Sequence, residues 1–322
     1  MIVAQSIQDI EGVIQGACVT IGNFDGVHKG HQELIATTCA KAKSLGLSSV
    51  VVTFDPHPRR VLQPQGSPPF ITLTEQKLEL ISKIGPDVTL VLPFSMEMAK
   101  LSPREFIAKY LSPMNIHELV IGYDYAMGKG RTGDHHALTE LGKEMGFGVQ
   151  RLEPVIINEA VVSSTRIRDM VSEGDVWNAR PLLGRFYQIR GEVVHGMNRG
   201  GRLLGFPTAN IKLEDELFPK LGVYAIWVEQ DGVIHAGVAN IGHNPTFGNE
   251  HISVEAHLLD FKGDLYGSTL KIHFVQRLRG EQKFNGLDEL KERIGQDIIL
   301  GREILQETDA QIKLQNIPSS EE

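Results

Sequence analysis

Cysteines and long hydrophobic runs are scarce in this sequence of 322 residues. The two cysteines, Cys18 and Cys39, have no CxxC spacing, which argues against a disulfide framework or a redox or metal pair and favours two reduced thiols. No apolar run approaches the roughly 18 residues that a membrane-spanning helix needs. Residues 1–11 lack a basic region followed by a long apolar stretch, so we expect no signal peptide, no membrane association and a cytoplasmic location.

An excess of basic side chains is also missing. The chain has 32 Lys and Arg against 40 Asp and Glu, a formal net charge of −8. Residues 1–184 carry 17 basic and 20 acidic side chains, and residues 185–322 carry 15 and 20. Neither part supplies the positive field of a phosphate-backbone binder, so the sequence predicts no nucleic-acid partner. It carries no indication of the oligomeric state.

The part of the chain before residue 160 alternates apolar runs with amphipathic stretches. We expect strands at Ala17–Ile21, Ser48–Phe54, Val88–Phe94, Glu118–Gly122 and Phe147–Leu152, and helices at Gln32–Leu45, Thr74–Ile84, Pro103–Tyr110 and His135–Met145. Strands and helices in alternation are typical of an α/β domain with a doubly wound parallel sheet. Two short helical patterns follow, of which the second ends near Gly184.

From Tyr187 the hydrophobic pattern changes to period two. We expect strands at Tyr187–His195, Thr208–Leu213, Gly222–Gln230, Val233–Ile241, Ser253–Phe261 and Ser268–Leu278. The dipeptide Asp231-Gly232 predicts a tight hairpin. Six short strands indicate a small antiparallel β-barrel, followed by an amphipathic helix at Leu287–Glu307. The sequence therefore predicts two domains, residues 1–184 and 185–322.

A glycine-rich segment, GNFDGVHKGH at residues 22–31, lies where the first strand turns into a helix. Glycines let the backbone approach a ligand closely, and a helix N-terminus favours phosphate. His28 and His31 lie on one face of the first turn, where imidazoles can donate hydrogen bonds to a transferring phosphate. A solvated or metal-binding histidine pair is the alternative. The candidate phosphate-binding residues here are Gly22, Asn23, Phe24, Asp25 and Gly30.

The segment VSSTRIR, residues 162–168, places hydroxyl groups and two arginines at the start of another helix. Serine and threonine are common helix caps, which is the structural interpretation. Arginines at a helix N-terminus are unfavourable unless an anion is present. The candidate phosphate ligands of this segment are Ser163, Ser164, Thr165 and Arg168.

The barrel half has a glycine-rich loop at residues 195–207, which leads into a PTAN motif. Such a loop can cover nucleotide phosphates, although most are flexible connections. The hydroxyl of Thr208 and the amide of Asn210 are the hard oxygen ligands that Mg²⁺ accepts when it holds ATP phosphates. The nucleotide-binding candidates are Gly196, Gly201, Gly205, Pro207, Thr208 and Asn210, with Thr208 and Asn210 as the metal candidates.

The motifs GNFDGVHKGH, SSTRIR, PTAN and VEAHLLDF together resemble the bacterial bifunctional riboflavin kinase/FMN adenylyltransferase family over nearly the whole chain. The resemblance implies that His28 and His31 stabilise the transferring α-phosphate of ATP, and that Ser163, Ser164, Thr165 and Arg168 bind the phosphates. It also implies that Glu255, otherwise an exposed strand glutamate, is the general base for the 5′-hydroxyl of riboflavin.

Two further stretches match the family less closely, and both follow strand ends, where ligands of parallel sheets lie. They are TFDPHP at residues 53–58 and GYDYAMGK at residues 122–129. The family has a Phe-Arg-Phe-Gly-like run where this chain has Tyr125-Ala126-Met127-Gly128. The flavin-binding candidates are Phe54, Pro56, His57 and Asp124 from these stretches, and Arg277, which begins a barrel stretch at residues 277–284 that also resembles the family near the flavin.

The resemblance implies a bifunctional enzyme with riboflavin, FMN and ATP as substrates and Mg²⁺ as cofactor. The barrel would convert riboflavin to FMN, and the α/β domain would convert FMN to FAD with release of pyrophosphate. One alternative gives the α/β domain another phosphate substrate, such as pantetheine phosphate or glycerol phosphate, with the barrel as a binding module. In a second alternative the barrel is an OB-like nucleic-acid binder, but basic and aromatic residues are not interleaved as such a binder requires.

Overall fold

A computed structural model describes residues 1–195, 206–212, 214, 216–246 and 249–307 of the chain. It divides into two compact units, Met1–Ser164 and Thr165–Glu322. The helices between residues 165 and 183 group with the second unit in this division, and the sequence-based boundary at residue 184 stays a prediction.

A six-stranded sheet in which every pair is parallel forms the centre of the first unit. Its strands are β1 (Ile2–Ala4), β2 (Ala17–Ile21), β3 (Ser48–Phe54), β4 (Val88–Leu92), β5 (Ile116–Ile121) and β6 (Gly148–Arg151). Their order is β1-β4-β3-β2-β5-β6, so the order reverses between β2 and β5. Ligands of such sheets bind outside the carboxyl ends of the strands at this reversal.

Helices cover both faces of this sheet. They are α1 (Lys29–Leu45), α2 (Pro58–Leu62), α3 (Thr74–Ser82), α4 (Met96–Ala99), α5 (Pro103–Phe106) and α6 (His135–Met145). One core packs Val51 and Val120 of the strands against Ile35 of α1 and Ile81 of α3. A second core includes Phe106 and Leu138. Shorter elements are 3₁₀ turns at Gln8–Ile10, Ser112–Met114 and Lys129–Arg131, a π-helical turn at Ile107–Leu111, and a hairpin of β7 (Ile156–Ile157) with β8 (Ala160–Val161).

A closed antiparallel barrel forms most of the second unit, with the order β10-β13-β12-β11-β14-β9. Its strands are β9 (Tyr187–Val194), β10 (Ala209–Ile211), β11 (Gly222–Gln230), β12 (Val233–Thr246), β13 (Asn249–Leu258) and β14 (Thr269–Arg279). Gln230 pairs with Val233 across a two-residue turn. Asp231 and Gly232 both have positive φ, 48° and 81°, which a hairpin turn of this length requires.

Three helices complete the second unit: α7 (Ser164–Ser172), which begins at the boundary between the units, α8 (Val176–Leu183) and α9 (Leu287–Gln306). Leu305 of α9 packs with Phe186, Ala225 and Val275 of the barrel. Arg279 of β14 binds the buried Asp297 of α9 with its Nε 3.1 and 2.9 Å from the two carboxylate oxygens.

The predicted fold class is confirmed, and most differences lie at element ends. The parallel sheet, the antiparallel barrel, the Asp231-Gly232 hairpin and the C-terminal helix are present. The predicted strand Val88–Phe94 ends at Leu92, and the strand predicted at Thr208–Leu213 covers Ala209–Ile211. The edge strand β1 was not predicted, because its three residues are too few to show a period.

Candidate active sites

The loop between β2 and α1 is folded around a buried phenylalanine. Phe24 and Val27 have positive φ (51° and 39°) and are both about 1% exposed. A Cβ on Gly22 would lie 3.0 Å from Cζ of Phe24, so the close approach of this ring explains the glycine. Because β2 is a strand of the order reversal, the loop lies where ligands of parallel sheets bind.

The two histidines of this loop stack on each other. His28 is the N-cap of α1, and its Nδ1 accepts a hydrogen bond from the backbone N–H of His31 (3.3 Å). The ring centroids lie 3.6 Å apart, and Phe24 contacts His31 edge-on. Since Nδ1 of His28 is an acceptor, neutral His28 carries its proton on Nε2 and can donate from there.

Burial keeps His31 neutral. It lowers the pKa of His31 well below the ordinary value, and the nearby His28 and Lys77 lower it further. Its Nδ1 is buried without a hydrogen-bond partner among the described residues. A neutral imidazole still offers one N–H donor, so the pair fits the predicted contact to phosphate oxygens.

Asp25 has a structural connection that the sequence did not indicate. Its carboxylate is buried and accepts hydrogen bonds from the backbone N–H groups of Ile71 (3.0 Å) and Thr72 (3.1 Å). Gly26 donates to the Thr72 hydroxyl (3.0 Å). These bonds attach the glycine-rich loop to the segment that precedes α3, whereas the predicted contact of Asp25 to a nucleotide stays a prediction.

The first hydroxyl residue of α7 also fixes this loop. Oγ of Ser164 donates to the backbone carbonyl of Asp25 (2.9 Å), so Ser164, one of the predicted phosphate ligands, fixes the glycine-rich loop. Thr165 and Arg168 follow within the first turns of α7, and Ser163 directly precedes it. Two further predicted phosphate-binding residues lie in the glycine-rich loop and at the start of α1. Asn23 is exposed. Gly30 lies against His28, since a Cβ on Gly30 would be 3.3 Å from the His28 ring.

A buried lysine that was not predicted as a site residue lies beside the end of β3. Lys77 of α3 is 4% exposed, and its Nζ donates to the carbonyl of Phe54, the last residue of β3 (3.2 Å). Burial lowers the pKa of Lys77 to about 8, and the charges of Asp55 and Asp25 limit this decrease. The only sequence signal is its spacing of four residues before the core residue Ile81, which places a charge on the apolar face.

The flavin candidates of the first unit lie on two loops at this edge. Phe54 packs edge-on against Phe94 (5.6 Å) in the core, while His57 caps α2 and lies against Phe70 (4.8 Å). Pro56 follows a cis peptide bond and is exposed. Asp124 is exposed after β5, and its carbonyl accepts a hydrogen bond from Arg131 (2.9 Å).

The barrel brings three polar residues into one row on adjacent strands. Glu255 of β13 lies directly opposite Asn210 of β10 on one side and Asn240 of β12 on the other. Opposite residues of antiparallel strands share a face. Val254 and Ala256, on either side of Glu255, are fully buried, so Glu255 points to the other face. The register that adds Asn240 to this row is not visible in the sequence.

Burial makes the Glu255 carboxylate a stronger base. It raises the pKa of the Glu255 carboxyl above the ordinary value, and a hydrogen bond with the side chain of Thr208 limits the increase. Thr208, the first residue of the predicted strand, directly precedes the observed strand β10. Asn210 lies opposite Glu255, and the predicted binding of Mg²⁺ by Thr208 and Asn210 stays a prediction.

The remaining barrel candidates are only partly described. Gly196, Gly201 and Gly205 lie outside the described residues. The carbonyl of Pro207 lies 2.7 Å from Nδ1 of His257, which connects the PTAN motif to β13. Arg277 donates to the carbonyl of Leu221 (2.6 Å), and its predicted contact to flavin stays a prediction.

Sequence models of two families match the chain, one to each half. The model for FAD synthetase matches residues 11–166, and the model for riboflavin kinase matches residues 183–305. The chain is 39% identical over 284 residues to the bifunctional riboflavin kinase/FMN adenylyltransferase of Bacillus subtilis, covering 87% of this chain and 89% of the relative. It is 40% identical to the protein of that name from Pseudomonas fluorescens, over 89% and 93% of the two chains.

One solved structure is similar over almost its whole length. It is described as a macrolide-efflux protein from Streptococcus pneumoniae, with 33% identity, a TM-score of 0.83, and coverage of 94% of this chain and 98% of that one. None of the described helices of the present chain is long and apolar enough to cross a membrane. The two family matches and the full-length relatives leave one assignment: the chain belongs to the bifunctional riboflavin kinase/FMN adenylyltransferase family.

Proposed function

We propose that the chain carries out its two reactions at two separate sites, one in each unit. The protein is a bifunctional transferase that phosphorylates riboflavin to FMN and adenylylates FMN to FAD. The site for adenylyl transfer is the loop between β2 and α1, and the site for phosphorylation is the row of polar residues around Glu255. The separate matches of the two family models to residues 11–166 and 183–305 support this division.

Adenylyl transfer needs no base in this proposal. An oxygen of the FMN phosphate, already an anion, attacks the α-phosphorus of ATP, and the bond to the departing pyrophosphate breaks. Charge then develops on phosphate oxygens, which pre-oriented N–H donors stabilise. The fixed tautomer of His28 and the stacking of His31 against it provide such donors in a defined orientation.

Phosphorylation of riboflavin does need a base. The 5′-hydroxyl must lose its proton as it attacks the γ-phosphorus of ATP, and the Glu255 carboxylate accepts this proton while the bond from the γ-phosphorus to the departing ADP breaks. The raised pKa of Glu255 makes it a stronger base than an ordinary glutamate. Glu255 lies between Asn210 and Asn240 in the register of three adjacent strands, and this row of polar side chains is the observation that carries the proposal for the second unit.

Mg²⁺ fits the oxygen ligands of the second unit. Mg²⁺ in kinases is held by one or two protein oxygens, by substrate phosphates and by water. The side-chain oxygen of Asn210, which lies opposite Glu255 in the strand register, and the hydroxyl of Thr208 just before the strand would hold it. When bound, the ion neutralises charge on the ATP phosphates.

An isosteric variant tests the assignment of the phosphorylation site. Glu255→Gln keeps the size of the side chain but cannot accept a proton, so we expect FMN formation from riboflavin to fall by about 10²- to 10⁴-fold. FAD formation from supplied FMN should be unchanged. Glu192→Gln, which replaces an exposed glutamate of β9, is the matched control and should affect neither reaction. If Glu255→Gln phosphorylates riboflavin at the rate of the control, Glu255 is not the base.

A further inference from the structure

Lys77 lies at the same edge of the sheet as the two histidines. Its Nζ donates to the Phe54 carbonyl (3.2 Å), at the carboxyl end of β3. β3 pairs in parallel with β2, whose own carboxyl end leads into the loop that carries His28 and His31. Lys77 is close enough to His31 for its charge to lower the pKa of that imidazole.

The surroundings of Lys77 use only part of the hydrogen-bonding capacity of its ammonium. An ammonium has three N–H donors, and the Phe54 carbonyl is its one hydrogen-bond acceptor among the described residues. The charged groups that face it are Asp25 of the β2–α1 loop and Asp55 after β3. Asp25 already directs one carboxylate oxygen to backbone N–H groups. Burying a charged group is unfavourable unless it is paired and hydrogen-bonded.

A second observation at this edge also indicates a ligand. Nδ1 of His31 is buried without a hydrogen-bond partner among the described residues. Buried polar atoms in native proteins are nearly always paired. A phosphate beside the ammonium and the histidine pair would accept hydrogen bonds from the ammonium and from the N–H groups of the imidazoles.

We propose that Lys77 is a catalytic residue of adenylyl transfer, and that its ammonium binds phosphate oxygens of the reactants beside His31. This inference rests on the assignment of adenylyl transfer to the first unit. Lys77 neither gives nor takes a proton in the step. As the bond from the FMN phosphate to the α-phosphorus forms and the bond to pyrophosphate breaks, the ammonium compensates the negative charge on the phosphate oxygens. The phosphate belongs either to ATP or to FMN.

The test uses the full-length chain with Lys77→Met and Lys77→Arg. Methionine keeps the length of the side chain without the charge, and arginine keeps the charge. Lys83→Met is the matched control, because Lys83 lies just beyond the end of α3, is exposed and pairs with Glu79. FAD formation from FMN and ATP is measured with each substrate varied, and FMN formation from riboflavin is measured in the same preparations.

We expect Lys77→Met to lower kcat/KM for FAD formation about 10²- to 10³-fold, with FMN formation unchanged. A rise of KM for ATP alone assigns the phosphate to ATP, and a rise for FMN alone assigns it to FMN. FAD formation within threefold of the Lys83→Met control would overturn the proposal for Lys77 alone. Loss of FMN formation with intact FAD formation would instead overturn the division of the reactions between the units.

The pH dependence separates binding of phosphate from a structural role. Lysine is charged below its pKa, so kcat/KM of the wild type for FAD formation should fall as the pH rises through about 8. Lys77→Arg should stay within about tenfold of the wild type at pH 7 and should lose this decrease, since arginine keeps its proton. If Lys77→Met does not fold, the pH profile of Lys77→Arg tests the proposal. A fall of its kcat/KM for FAD formation at alkaline pH like that of the wild type would overturn the proposal.

Discussion

Gly30→Ala is expected to leave the fold as stable as before, or more stable, while it slows adenylyl transfer. Gly30 is the second residue of α1. Replacing a helical glycine by alanine adds up to about 1 kcal/mol of stability. The added Cβ would lie 3.3 Å from both Cε1 and Nδ1 of His28, which is shorter than an ordinary contact of about 3.5 to 4.0 Å.

The ring of His28 has little freedom to avoid this contact. Its Nδ1 is held by the backbone N–H of His31, and its face stacks on the His31 ring at 3.6 Å. The ring must therefore move by a few tenths of an ångström and carry the donor with it. A misplacement of 1 Å can cost about 10²-fold in rate, so we expect kcat for FAD formation to fall roughly 3- to 10-fold.

The assay follows FAD formation from FMN and ATP by chromatography, together with thermal unfolding. Gly295→Ala is the matched control, because Gly295 lies in α9 and a Cβ there would meet no atom within 4 Å. The control should gain similar stability and keep both activities. FAD formation by Gly30→Ala at the rate of the control would refute the claim that the position of the His28 ring limits the reaction.

Three further predictions concern stability and domain independence. Asp297→Ala leaves Arg279 without its buried partner and should lower the free energy of unfolding by about 3 to 5 kcal/mol, measured by urea denaturation. The hydrogen bond from His273 helps to lower the pKa of Glu229 to about 2. The ionised Glu229 carboxylate therefore stabilises the fold fully above pH 4.5, and this stabilisation is lost as the pH falls towards 2. Acid unfolding of Glu229→Gln should therefore show a weaker pH dependence in that range. Residues 185–322 expressed alone should fold and phosphorylate riboflavin with Mg²⁺ and ATP; a folded but inactive fragment would show that the kinase site is not self-contained.

Periodicity and turn chemistry were sufficient to predict the fold class. The apolar runs of β2 and β3 gave the observed strand ends, because a buried parallel strand is apolar throughout and is bounded by glycine or polar residues. The Asp231-Gly232 turn was equally clear, because both residues tolerate positive φ. Short edge strands such as β1 give no such pattern, since three residues cannot show a period.

The candidate sites were predictable only where a local motif carries the chemistry. His28 and His31 are three residues apart, so one turn of helix brings them together. Lys77 reaches the same edge from a helix more than 40 residues later in the chain, and in the sequence it is one lysine of an amphipathic helix. Its burial and the Asn240–Glu255 register depend on tertiary packing, which no local pattern records.

The most direct test of two separate sites in one chain is a time course with riboflavin, ATP and Mg²⁺ for the double variant His28→Ala, His31→Ala. Chromatography separates riboflavin, FMN and FAD, and circular dichroism checks the fold. Removing both oriented donors should lower FAD formation by about 10²- to 10³-fold, while FMN forms at the wild-type rate and accumulates. FAD production at the wild-type rate would show that the histidines only support the loop, and loss of both products in a folded protein would contradict the assignment of one reaction to each unit.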